Sequence, residues 1–134
     1  MSEQAPLRVW HVDSGKRHGG GQVQISYLLN GLVSRGVACT LICPKESPIP
    51  GLGIPPEVEV IHLNLRSEWD VPSIWKMRKM VRTFQPDILH AHDAKAHTVC
   101  LLARTERQKV IVHRRVSFPI HRHILTKWKY GAGV

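Results

Sequence analysis

Three clusters of residues have the types and spacing to do chemistry. The first is Gly19-Gly20-Gly21, preceded by Lys16, Arg17 and His18. A glycine run before a helix lets phosphate or sugar approach backbone N–H groups with no side chain in the way, and the neighbouring cations favour an anion there. The second is His90-Ala91-His92-Asp93, with His97 following. On a strand, residues 90 and 92 share one face and residue 91 takes the other. An imidazole at the end of that strand suits hydrogen bonding or proton handling, and His92 holds that position. The third is His113-Arg114-Arg115, where adjacent guanidiniums at a strand end can hold phosphate through planar, charge-assisted contacts. Each cluster also has a plainer reading. The glycines form a turn, His90 is a buried strand residue, Asp93 caps a helix, and the arginines are a solvated pair.

Other chemistries fit less well. The glycines do not make Gly-x-Gly-x-x-Gly and no Gly-Lys-Ser/Thr follows, which weakens the dinucleotide and P-loop readings. His90, His92 and His97 do not complete His-x-His-x-Asp-His. No further cluster of carboxylates or cysteines supplies the remaining ligands, so no metal site is expected.

The elements that must position these residues follow from hydrophobic patterning. Residues 7–12 read as a strand, 13–21 as a loop, and 22–35 as a helix with Ile25, Leu28, Leu29, Leu32 and Val33 on one stripe. Gly36 supplies a left-handed cap. Residues 37–43 are nearly all apolar, as in a strand buried on both faces. A proline-rich loop over 44–56 leads to a third strand at 58–63. Asp70 is the N-cap of a helix with a stripe of Ile74, Met77, Val81 and Phe84 and a basic outer face of Lys76, Arg78, Lys79 and Arg82. A fourth strand spans 87–91. Asp93 opens a helix marked by Ala96, Val99, Cys100 and Ala103, and a fifth strand spans 109–113. Ile124, Leu125 and Trp128 indicate a last helix, and Trp128 and Tyr130 among Arg122, Lys127 and Lys129 form a further basic patch. The alternation predicts a Rossmann-like α/β domain: a mostly parallel sheet in the order 3-2-1-4-5, helices on both faces, incomplete at its C-terminus. In that order the glycine loop and His92 open into one crevice at the carboxyl edge of the sheet.

The chain has 134 residues, which suits one domain, and 19 Lys+Arg against 10 Asp+Glu give a formal charge of +9. That balance points to an anionic partner, whether phosphorylated substrate, anionic membrane surface or nucleic acid. Cys39, Cys43 and Cys100 are odd in number, without Cys-x-x-Cys, and read as reduced buried thiols suited to the cytoplasm. Residues 1–6 are polar and short, unlike a signal peptide, and no apolar run is long enough to span a bilayer.

Taken together, the opening WHVDSG…GGGQVQ, then ISYLLNGLVSRGVACTLICP, QPDILHAHDAKAH, VHRRVSFP and KWKY resemble the N-terminal half of a family 4 glycosyltransferase of the GT-B fold. The likeness runs through nearly the whole chain in order and spacing. It implies that residues 1–134 are an acceptor-side domain, truncated before a C-terminal domain that binds the nucleotide sugar through a Glu-x7-Glu motif. It also implies a retaining sugar transfer without metal or other cofactor, to a glycan or lipid-linked acceptor of the lipopolysaccharide kind. Peripheral contact with the anionic inner face of the plasma membrane accompanies such acceptors. By position, Gly19, Gly20 and Gly21 would approach donor phosphates and acceptor, and His92, Asp93 and His97 would border the acceptor. Either His113 or Arg115 would fill the family's strand-five position, with Arg114 beside them as a phosphate contact. The truncated chain alone is expected to be inactive. The alternative from another class, a basic nucleic-acid-binding module without enzymatic activity, accounts for the charge only, since no nucleic-acid motif is present.

Overall fold

A computed structural model describes residues 5–67 and 69–113. Strands β1 (Arg8–Val12), β2 (Ala38–Cys43), β3 (Glu59–His62), β4 (Ile88–Ala91) and β5 (Lys109–Val112) form one sheet in the order β3-β2-β1-β4-β5. Every pairing is parallel. Helices α1 (Gly20–Ser34), α2 (Val71–Phe84) and α3 (Ala94–Ala103) connect them, with a short 3-10 turn at Ile49–Gly51 between β2 and β3. The expected topology is the observed one. The last helix and the basic patch around Trp128 lie outside the described residues.

Strand alternation divides the interior into two cores. Trp10, Val12, Ile42, Leu89, Ala91 and Val110 project from one face onto Met77 and Val81 of α2 and Ala96, Val99 and Cys100 of α3. Cys39, Leu41 and Cys43 project from the other onto Ile25 and Leu29 of α1 and Ile49 of the 3-10 turn. All three cysteines are free and buried, and burial pushes their thiols up, which makes them packing groups rather than nucleophiles.

The helix ends follow local chemistry. After α1, Gly36 takes φ +84. Its N–H donates to Val33 O at 3.0 Å, and that of Val37 donates to Leu32 O at 3.0 Å, closing a Schellman motif. Asp70 and Asp93 cap α2 and α3 through Ser73 N and Ala96 N. The start of α1 differs from expectation. Gly20 and Gly21 belong to its first turn, and only Gly19 stays outside as an extended N-cap. Glycine is tolerated there because first-turn N–H groups lack intrahelical partners in any sequence.

The amino ends of the central strands are tied together by side chains. Asp87 accepts from Arg8 N at 2.9 Å and from the Arg107 guanidinium at 3.3 Å. Buried Gln108 accepts from Thr105 N and from Thr105 Oγ1, each at 2.8 Å. Its amide donates to Gln85 Oε1 at 2.9 Å and to Pro86 O at 3.1 Å.

Candidate functional site

At the opposite, carboxyl edge, β1 and β4 end side by side. Val12 registers with Ala91, and the ladder runs one step further as His92 N donates to Val12 O at 3.0 Å. The chain then turns away on both strands, opening a cleft of about 600 Å³ between the starts of α1 and α3. Asp13, Ser14, Gly15, Gly21, Gln22, His92, Asp93 and Lys95 are among its lining residues. A second hollow of about 590 Å³ adjoins it and adds Lys16, Arg17, His18, Gly19 and Arg66. Gly19, Gly21 and His92 therefore meet at one edge, as the strand order required. Gly20 is exposed in the same first turn, and an added Cβ there would meet nothing within 4 Å.

The two helices that open at the cleft are finished differently. Among the described residues, no side chain caps α1. Its first-turn N–H groups and the positive end of its dipole face a mouth edged by Lys16, Arg17 and Lys95. Helix α3 is capped by Asp93, whose Oδ1 accepts from Ala96 N at 2.8 Å. Its other oxygen accepts from Ser14 N at 2.7 Å and Ser14 Oγ at 2.9 Å, which joins the loop after β1 to the start of α3. The capping reading of Asp93 and its place on the cleft both hold in this geometry.

Asp13 stands beside Asp93. It is buried and accepts from Gly15 N at 3.2 Å and, more distantly, from Gln22 Nε2 at 3.5 Å. Burial first, and then the Asp93 carboxylate, raise its pKa to about 7. Gly15 packs closely here: a Cβ would sit 2.4 Å from Gln22 Nε2 and 3.2 Å from Asp13 Oδ2, so a larger residue would displace the Gln22 amide.

His92, which lines the cleft, is one of a cluster of histidines. His11 registers with His90 across β1 and β4, and His92 lies one step along the same face. The ring centroids of His90 and His92 are 4.1 Å apart, and His11 is 5.3 Å from each. His11 Nδ1 and His92 Nε2 are hydrogen-bonded at 3.1 Å. Burial, and then neighbouring His90, lower the His11 pKa to about 3, so this ring stays neutral. His113 continues the row at 6.1 Å from His90 and is exposed.

The remaining expected residues divide clearly. His97, expected to border the acceptor, is fully buried within α3 and lines neither hollow. It lies one turn past the cap, with His97 N donating to Asp93 O at 2.9 Å, on the buried side of α3. Arg114 and Arg115 lie outside the described residues. Sequence reasoning missed His11 and Asp13. His11 was absorbed into an apolar strand, and Asp13 into a loop. The signal for both was the strand order, which places residue 11 of β1 beside residue 90 of β4, and residues 13 and 92 just past the ends of those strands.

Residues 18–132 match the protein family described as glycosyltransferase family 4. The chain belongs to that family. No curated protein matches this family 4 chain. Among solved structures it is similar to a PPC decarboxylase mutant complexed with pantothenoylaminoethenethiol, with a TM-score of 0.57 and 11% identity, covering 96% of this chain and 77% of the other. At that identity the likeness concerns the fold: both are α/β domains of Rossmann type. Among the described residues of the family 4 domain, no helix is long and apolar enough to cross a membrane.

Proposed function

We propose that this domain is the acceptor-side half of a retaining glycosyltransferase. It moves a sugar from a nucleotide-sugar donor to a glycan or lipid-linked acceptor in envelope polysaccharide synthesis, with lipopolysaccharide-type acceptors the first class to assay. The observation that carries the reading is the meeting of the uncapped α1 N-terminus, Asp13, His92 and Asp93 in one cleft of a family 4 chain.

In this reading the donor is held mainly by a C-terminal nucleotide-sugar domain. The domain described here closes over the diphosphate with the first turn of α1. Backbone N–H groups at Gly20 and Gly21, with Lys16, Arg17 and Lys95 near them, stabilise the charge that develops on the leaving group. His92, oriented by its bond to His11, hydrogen-bonds the reacting sugar or the acceptor hydroxyl. Asp13 titrates near neutrality and lines the same cleft, so it can exchange a proton with that hydroxyl. His113 or Arg115, with Arg114, completes the edge at strand five. No metal enters any of these steps.

A lipid-linked acceptor calls for a membrane-facing surface, and α2 supplies one. Trp69, Val71 and Trp75 are exposed beside Arg78, Lys79 and Arg82. Aromatic rings among cations suit the headgroup region of an anionic bilayer, which supports the reading of a peripheral enzyme on the cytoplasmic face of the plasma membrane.

The test is a radiolabelled sugar-transfer assay over several nucleotide sugars and lipid extracts. It compares residues 1–134 alone with the domain joined to a donor-binding second domain. Transfer is expected only in the joined protein, and His92→Ala should lower its turnover strongly while leaving it folded. Robust transfer by residues 1–134 alone overturns the two-domain reading. Full activity of the His92→Ala protein overturns the site assignment.

A further inference from the structure

We infer that His11, His90 and His92 form a binding site for one divalent transition-metal ion of the zinc class. This goes beyond the transferase reading, whose steps use no metal. One ring nitrogen from each of the three histidines lies within 4.8 Å of the others. Two imidazoles sharing a tetrahedral zinc, with Zn–N of 2.0–2.1 Å, hold their donor nitrogens about 3.3 Å apart. His11 Nδ1 and His92 Nε2 are 3.1 Å apart, so this pair needs little rearrangement to admit the ion.

The supports are rigid. His11 and His90 are register partners on adjacent strands, and His92 follows on the same face of the sheet. Backbone hydrogen bonding of His92 N to Val12 O fixes the end of that arrangement. A ligand set carried on paired strands keeps its spacing without loop ordering, which lowers the entropic cost of binding.

The donor chemistry selects the ion. Three neutral imidazoles suit zinc, cobalt, nickel or copper, whereas magnesium and calcium require oxygen ligands. Three histidines with an open fourth position are also the donor set of catalytic rather than structural zinc. When His11 binds through Nδ1, its ring proton sits on Nε2, an atom that is buried and without a hydrogen-bond partner among the described residues. His92 also lines the cleft, which gives the ion a path in from solvent. His113 is set further out, 6.3 Å from His92, and is not required for the trio.

The test uses the 134-residue chain, stripped with chelator and titrated with Co²⁺. The expected result is one ion per chain, visible absorption bands of low-symmetry cobalt, displacement by Zn²⁺, and no competition from Mg²⁺. His11→Gln and His90→Gln should each weaken binding at least about tenfold. His18→Gln and His62→Gln, at exposed positions, should leave it unchanged. Circular dichroism establishes that each variant is folded. Imidazole ¹⁵N spectra of the unsubstituted chain need no variant: Zn²⁺ should shift three imidazoles together. A folded chain that gives no cobalt bands overturns the site. So does binding of equal strength in His11→Gln and His90→Gln, or zinc shifts confined to exposed histidines.

Discussion

Asp13→Asn tests the electrostatics of the cleft directly. In the folded protein the Asp13 carboxyl is raised from 3.8 to about 7 by burial and by Asp93. The folded state therefore holds a proton that the unfolded chain has released. The stability tied to that proton is fully present below about pH 3.8 and lost as pH rises through about 7, a total of roughly 4 kcal/mol. Asparagine keeps the shape and an acceptor for Gly15 N, presents an amide donor toward Asp93, and cannot ionise. Between about pH 5.5 and 8.5 the stability of Asp13→Asn relative to the natural sequence should rise by ~2 kcal/mol. Taking the difference removes the histidines common to both proteins. His11 in particular has a lowered pKa, so its contribution is present above about pH 6.5 and lost as pH falls toward 3 in either protein. The assay is urea unfolding at several pH values in the presence of chelator. A difference that stays flat across the range would show an Asp13 that ionises like a solvated carboxylate. The carboxylate pair would then be no proton reservoir, and Asp13 would lose its proposed role with the acceptor hydroxyl.

Asp93→Ala removes the α3 cap and both bonds from Ser14, and should cost about 2 kcal/mol in urea unfolding at acidic pH, less at alkaline pH where repulsion of Asp13 is relieved. An equal loss at every pH would refute the coupling. Gln108→Leu leaves Thr105 N–H and Pro86 C=O without their partner and should cost about 2–4 kcal/mol, read as a lowered urea midpoint. Trp75→Ala combined with Arg78→Glu should release the protein from anionic vesicles while leaving neutral vesicles and circular dichroism unaffected. Unchanged sedimentation with anionic vesicles would remove α2 from the membrane reading.

Much of this architecture was legible because single residues carry local rules. Asp70 and Asp93 announced helix starts, Gly36 a helix end, and the apolar run 37–43 a strand covered on both faces. These are short-range effects, set by the chain within a few residues. The cleft was harder because its chemistry comes from pairs far apart in sequence. The Ser14–Asp93 bonds and the His11–His92 contact join residues about eighty positions apart. Periodicity placed His11 correctly in a strand but gave no reason to distinguish it from its apolar neighbours. His97 failed in the opposite way. Its nearness to His92 in sequence suggested a shared site, and the helical turn between them buried it instead. The start of α1 was misjudged because glycine's low helix propensity applies to helix interiors and weighs little in the first turn.

The ties among Arg8, Gln85, Asp87, Arg107 and Gln108 give the two ends of the sheet different mechanical characters. Backbone amides near the starts of β1, β4 and β5 are held by side chains as well as by the ladder, so their release requires nearly global unfolding. Those at the carboxyl edge lie beside the Asp13–Asp93 carboxyl pair and a row of imidazoles, where opening relieves as well as costs free energy. Hydrogen exchange should therefore run as a gradient along each strand, slow at the amino end and faster toward the cleft. A ligand or ion taken up in the cleft would slow the fast end and leave the slow end unchanged. The protein thus carries its own internal reference: the clamped end reports whether the fold is intact, and the open end reports whether anything is bound.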